Sequence, residues 1–164
     1  MAIIIQGFTK CPICNCDLDR PYTATSGCAF PEGHYLFKFC DAPLHYTCVE
    51  KWEHRQEFSR GYFDEACLFA QQRPAGLLIK EEEWALICGP AVKGKKPYYV
   101  QIRNRDWPIT LHYKWEEWNS LLSGGYTAQM EGDAVHAANE VVSILRERFP
   151  SQIDLDRFYE QSRA

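Results

Sequence analysis

Apolar and polar positions change rhythm several times along this chain, and each rhythm predicts a different element. After Asp133, the residues Val135, Ala138, Val142, Leu145 and Phe149 recur at alternating steps of three and four. That spacing predicts a helix with one buried stripe, capped by Asp133 and ended by Pro150. Upstream the period falls to two. Tyr98, Val100 and Ile102 alternate with Tyr99, Gln101 and Arg103 in "PYYVQIR", and Ile109, Leu111 and Tyr113 alternate with Thr110 and His112 in "PITLHY". Both segments predict strands, as does the apolar run "WALICG". A helix is predicted from His45 to Arg60 and continues through Phe63, Ala66, Cys67 and Ala70 until "RPAG" breaks it. "KWEEWNSLL" predicts one further short helix. Residues 16–39 are turn-rich, with Pro21, Gly27, Pro31 and Gly33, and offer only "HYLFKF" as a strand.

Strands and helices are segregated rather than interleaved, so the fold class is α+β. Residues 1–72 and 73–164 differ in character, the first part cysteine-rich and the second sheet-forming, and are expected to pack as one compact unit. A chain of 164 residues with 46% hydrophobic and 24% charged positions can bury a core of its own. The start "MAIIIQGFTKCPIC" has neither a charged leader nor a small-residue cleavage site, and no apolar run approaches the ~20 residues of a membrane span. A cytoplasmic protein is the expectation. In that reducing compartment the eight cysteines read as metal ligands or buried thiols rather than disulfides.

Six of the eight cysteines precede residue 49, and two close pairs stand out among them. "CPIC" sets Cys11 and Cys14 at the two-residue gap of a metal knuckle. "HYTC" sets His45 and Cys48 three apart, on one face of a helix start. Thiolates and imidazoles are the preferred ligands of zinc, and two such pairs complete a tetrahedron, the treble-clef arrangement. One structural zinc is expected, because four protein ligands leave no position open to water or substrate. Neither the deaminase pattern nor HExxH is present. Cys40 is an alternate ligand in place of His45, or a partner of Cys28, His34 or Cys67 in a second site, and Cys16 is an alternate ligand or a bystander.

Cys11–Pro12–Ile13–Cys14, Cys40, His45, Cys48 and Trp52 together resemble the RING-finger family in the variety whose fifth ligand is histidine. The resemblance covers residues 11–52. It implies that Cys11, Cys14, His45 and Cys48 form the first zinc site, and that Ile13 and Trp52 belong to the surface that grips a ubiquitin-conjugating enzyme. The family's second zinc site is incomplete: Ala42 stands where a histidine is expected, and the final cysteine pair is missing from "EHRQEFSRGYF". The stretch from Phe37 to Phe63 is also similar to small bacterial proteins with a D-A-x-x-H-x-x-C core. Some small, acidic bacterial proteins without catalytic residues are immunity proteins that occlude a toxin, a likeness of type rather than of motif.

Other features change this picture little. "GPAVKGKK" nearly spells a phosphate-binding loop but ends in Lys96 and Pro97 where a hydroxyl and a helix are required, so it reads as a hairpin loop. Trp115 and Trp118, with Glu116 and Glu117 between them, are either core or an aromatic, acidic contact surface. The net charge of −4, from 22 acidic and 18 basic residues, disfavours nucleic acid and suits a partner with a basic face. The expected protein is therefore α+β, with an N-terminal treble-clef-like zinc module packed on a small antiparallel sheet and C-terminal helices. Its expected work is non-enzymatic binding of another protein, a toxin or an enzyme, through Trp115, Glu116, Glu117 and Trp118. A RING-like ubiquitin-ligase or adaptor role through Ile13 and Trp52 is the alternative, and a nucleic-acid-binding zinc module the second.

Overall fold

A four-stranded antiparallel meander organises the chain. Its strands are β3 (Leu77–Lys80), β4 (Trp84–Cys88), β5 (Tyr99–Asn104) and β6 (Thr110–Lys114), in that spatial order. They are preceded by a two-stranded ribbon, β1 (Tyr22–Ala24) and β2 (Pro43–His45), and by helices α1 (Tyr46–Glu50) and α2 (Arg55–Gln71). Helices α3 (Trp118–Leu122), α4 (Asp133–Arg148) and α5 (Gln152–Gln161) follow the sheet. The structure is a computed structural model that describes residues 3–5, 7–27, 29–73, 76–91 and 95–162. No helix among the described residues is long and apolar enough to cross a membrane. Of the "GPAVKGKK" segment, residues 92–94 lie outside the described ones.

The period of two in β5 divides the sheet into two unlike faces. Val100 and Ile102 pair with Cys88 and Leu86 on one side and with Tyr113 and Leu111 on the other. These side chains join the main core with Trp118, Leu121, Val142 and Leu145. Ala85 and Ile87 face the opposite way, onto Phe63, Cys67 and Ala70 of α2. The main core also takes in Leu36, Leu44, Val49 and Phe58 from the N-terminal third. Thr23 Oγ1 donates across to the carbonyl of Pro108 at 3.2 Å, and the Arg55 guanidinium lies 4.5 Å from the centre of the Trp107 ring.

Several local expectations are corrected. "HYLFKF" is a turn followed by a 3-10 helix over Phe37–Phe39. Its buried side chains are Leu36 and Phe39, three apart, which is helical rather than strand spacing. The helix expected from His45 to Arg60 is broken at residues 51–54, where the chain turns so that Trp52 packs on Phe39 at 4.4 Å and Phe58 at 5.3 Å. β3 is short and has no alternation, with only Ile79 buried and a register shift between Leu77 and Ile79. α5 has one buried pair, Leu155 and Tyr159, and its start is marked by Ser151 and Asp154, which bond each other as a cap.

Asp133 lies in the first turn of α4, and the cap position is Gly132 at φ 63 and ψ −149. That conformation is essentially reserved for glycine, and a Cβ there would meet Glu50 Oε2 at 2.5 Å. Gly132→Ala should therefore lower the unfolding free energy by about 1–3 kcal/mol in urea denaturation, most of it backbone strain. Unchanged stability would show that the loop before α4 relaxes freely.

Candidate metal centre

The N-terminal ligand pair sits on a tight turn that the backbone closes by itself. The Cys11 N–H donates to the Cys16 carbonyl at 3.0 Å, and the Asn15 N–H donates to the Cys11 carbonyl at 2.7 Å. Asn15 takes φ 58, a left-handed conformation that asparagine tolerates better than most residues. Lys10 and Asp17 bridge the flanks of the turn. Both sulfurs are thereby turned to one side.

The second pair straddles a strand-to-helix junction. His45 ends β2, opposite Tyr22 of β1, and is also the residue before the first turn of α1; Cys48 lies within that turn. His45 is fully buried. The ligand atoms of Cys11, Cys14, His45 and Cys48 all lie within 4.8 Å of one another, close enough to hold a metal ion. His45 Nδ1 is 3.5 Å from Cys14 Sγ and 3.8 Å from Cys48 Sγ. With metal–sulfur and metal–nitrogen bonds of about 2.3 and 2.0–2.1 Å, the sulfur–nitrogen edge of a zinc tetrahedron is about 3.6 Å. The cluster already has nearly that size, and its donor set of three thiols and one imidazole suits zinc.

Proton affinities in the cluster diverge. Burial works to raise the Cys14 thiol, but hydrogen bonds from the Cys16 backbone and from His45, Cys48 and Cys16 side chains outweigh it and lower the group to about 6. Burial and the neighbouring sulfurs of Cys14 and Cys11 raise Cys48 to about 12. The Cys14 and Cys48 sulfurs oppose each other's ionisation, and a bound cation removes that conflict because it binds the thiolate forms. His45 Nε2 is buried without a hydrogen-bond partner among the described residues; Asp19 Oδ1 stands 4.0 Å away, on the side where an outer carboxylate orients a metal-bound imidazole. Nothing in the cysteine spacing pointed to Asp19.

The remaining candidates fall elsewhere. Cys40 is buried in the apolar core, Cys67 is on the opposite sheet face beneath α2, and His34 stacks on Phe30 at 4.8 Å, so none of them joins the four. Cys28 lies outside the described residues. Cys16 is exposed beside the cluster, where its thiol donates to the Cys14 carbonyl at 3.5 Å.

Of the two readings of Trp115 and Trp118, core or contact surface, their burial fits the core. Trp115 Nε1 donates to Asp156 Oδ1 at 2.8 Å and Trp118 Nε1 donates to the Phe149 carbonyl at 3.0 Å, so both indoles have their polar edge satisfied inside the fold. Their relative exposures are 5% and 0%, leaving Glu116 and Glu117 alone at the surface. Ile13 and Trp52 are half-buried and line an open groove of about 630 Å³, together with Arg20, Lys51, Glu53, Cys14 and Cys48. No family model, curated protein or solved structure matches this chain.

Proposed function

We propose that this protein is a zinc-stabilised module of the bacterial cytoplasm that binds another protein without catalysing a reaction, in the manner of an inhibitor that occludes a toxin or an enzyme. The observation that carries this reading is a shared wall. Cys14 and Cys48 belong both to the four-ligand cluster and to the groove that holds Ile13 and Trp52. Zinc bound by four protein side chains has no open position for water or substrate, so its work is structural. In this reading the Cys11–Cys14 turn and the His45–Cys48 helix start are the two ligand pairs of a treble clef. The metal then sets the spacing of Ile13 and Trp52, as a rigid support does for a binding surface.

The groove suggests the chemistry of what it takes: an apolar side chain between Ile13 and Trp52, flanked by a carboxylate set toward Arg20 and the exposed Lys51 and away from Glu53. A second reading draws on the same two residues. The RING-finger resemblance assigns them to contact with a ubiquitin-conjugating enzyme, which would make the protein a ligase-like adaptor.

One experiment separates these. Tagged protein is used to capture partners from its native lysate, alongside Ile13→Asp and the fold-sparing surface change Lys51→Glu. The inhibitor reading expects one protein retained by the wild type and reduced at least tenfold with either variant. Capture indifferent to both substitutions would overturn the groove as the contact surface. Accelerated discharge of ubiquitin from a conjugating enzyme, lost in Ile13→Asp, would favour the adaptor instead.

A further inference from the structure

Away from the metal cluster, the face of the sheet beneath α2 carries a charge that the fold leaves unbalanced. Arg103 on β5 is only 7% exposed, and its Nε and Nη1, both closed off from solvent, have no acceptor among the described residues. Its guanidinium lies 5.2 Å from the centre of the Tyr62 ring, and no carboxylate is paired with it among the described residues. A buried cation without a counter-charge is costly, and an anion drawn into the adjoining space lowers that cost.

Arg103 forms part of the wall of a cavity of about 300 Å³ between α2 and the sheet. Arg73, Gln101 and Tyr99 add donors to the same wall. Arg73 lies at the exposed end of α2, its guanidinium stacked 3.9 Å from the centre of the Phe69 ring. The one carboxylate in the lining is Glu65, so the cavity carries two cations against one anion. Its other side is apolar, from Ala66, Phe69 and Ile87. The positive charge is felt nearby: burial first, and then Arg103, lower the proton affinity of His112, whose ring lies tilted against Tyr99 at 4.4 Å.

We infer that this cavity binds a small organic monocarboxylate, its carboxylate held between Arg73 and the part of Arg103 that reaches the lining, and its apolar body between Phe69 and Ile87. Guanidinium and carboxylate match in shape and charge, and the pair is strongest where water is thin. Glu65 disfavours a dianion such as phosphate in so small a space. The size and the mixed lining are those of a small-molecule site rather than a protein-docking face. The cavity shares no lining residue with the metal cluster or with the groove beside it.

Calorimetric titration of the intact protein with acetate, hexanoate and phenylacetate tests it, with phenylacetamide and inorganic phosphate alongside. One molecule of hexanoate or phenylacetate per chain is expected, with acetate, phenylacetamide and phosphate each at least tenfold weaker. Arg103→Met, which keeps the bulk over Tyr62 and removes the charge, should weaken binding at least tenfold, and Arg73→Gln severalfold. Should Arg103→Met fail to fold, Arg73→Gln and the acid-against-amide comparison on the wild type still decide. Equal binding of acid and amide, tighter binding of phosphate, full affinity in Arg103→Met or Arg73→Gln, or no binding of any carboxylate would each overturn the assignment.

Discussion

Purified without chelator, the protein should carry one zinc per chain, and removing it should lower the melting temperature by about 10 °C or more. Structural zinc contributes about 10–16 kcal/mol in small zinc-finger peptides, comparable to the whole stability of an ordinary domain. Even a few kcal/mol of it lost here corresponds to a shift of that size for a chain of 164 residues. The N-terminal third has the most to lose. Its ribbon strands are three residues each, and the turn from Cys11 to Cys16 has little core of its own. Metal analysis of Cys11→Ser, Cys14→Ser, His45→Ala and Cys48→Ser should read near zero. Cys16→Ser and Cys40→Ala should keep one zinc, since neither side chain joins the four. A full metal count in His45→Ala, or none in the wild type, would remove the cluster from the account of this fold.

The second large effect lies in the core. Trp118 has no exposed surface, packs edge-on to Phe149 at 6.4 Å and donates its indole hydrogen to the Phe149 carbonyl. Trp118→Ala should cost about 3–5 kcal/mol, as large aromatic truncations in packed cores do. Trp118→Phe keeps part of the volume but deprives the carbonyl of its donor, and should cost about 1–3 kcal/mol. Denaturant titration of both variants checks the order. Loss of partner capture with stability intact would instead make Trp118 a contact residue, against its burial.

The four residues of the cluster were readable because their chemistry is local within each pair. Cys11 and Cys14 lie on one turn, and His45 and Cys48 on one junction, so spacing alone aligns each pair. Cys40 shows where that reasoning ends. Its position in the chain is as suggestive as that of the others, yet it lies among Leu36 and Leu44 in the core. The long helix after Asp133 and the strands of "WALICG", "PYYVQIR" and "PITLHY" were legible because a buried stripe leaves a period. β3 and α5 were not. Each buries too few side chains to leave one, and each owes its place to the neighbour it packs on.

By itself, the sequence determined the helix and strand segments with strong periods, the two ligand pairs, and the absence of familiar catalytic motifs. Only the tertiary structure decided that both pairs meet at a common centre, that Trp115 and Trp118 are turned inward, and that Arg103 is buried beside a cavity. The physical reason lies in what each kind of fact depends on. Periodicity and pair spacing are set by backbone geometry over a few residues. Burial and counter-charge are set by what other parts of the chain bring alongside: α2 over one face of the sheet, and α5 beside Trp115. Arg103 alternates along β5 like any solvent-facing residue, and it is α2 that takes it out of water.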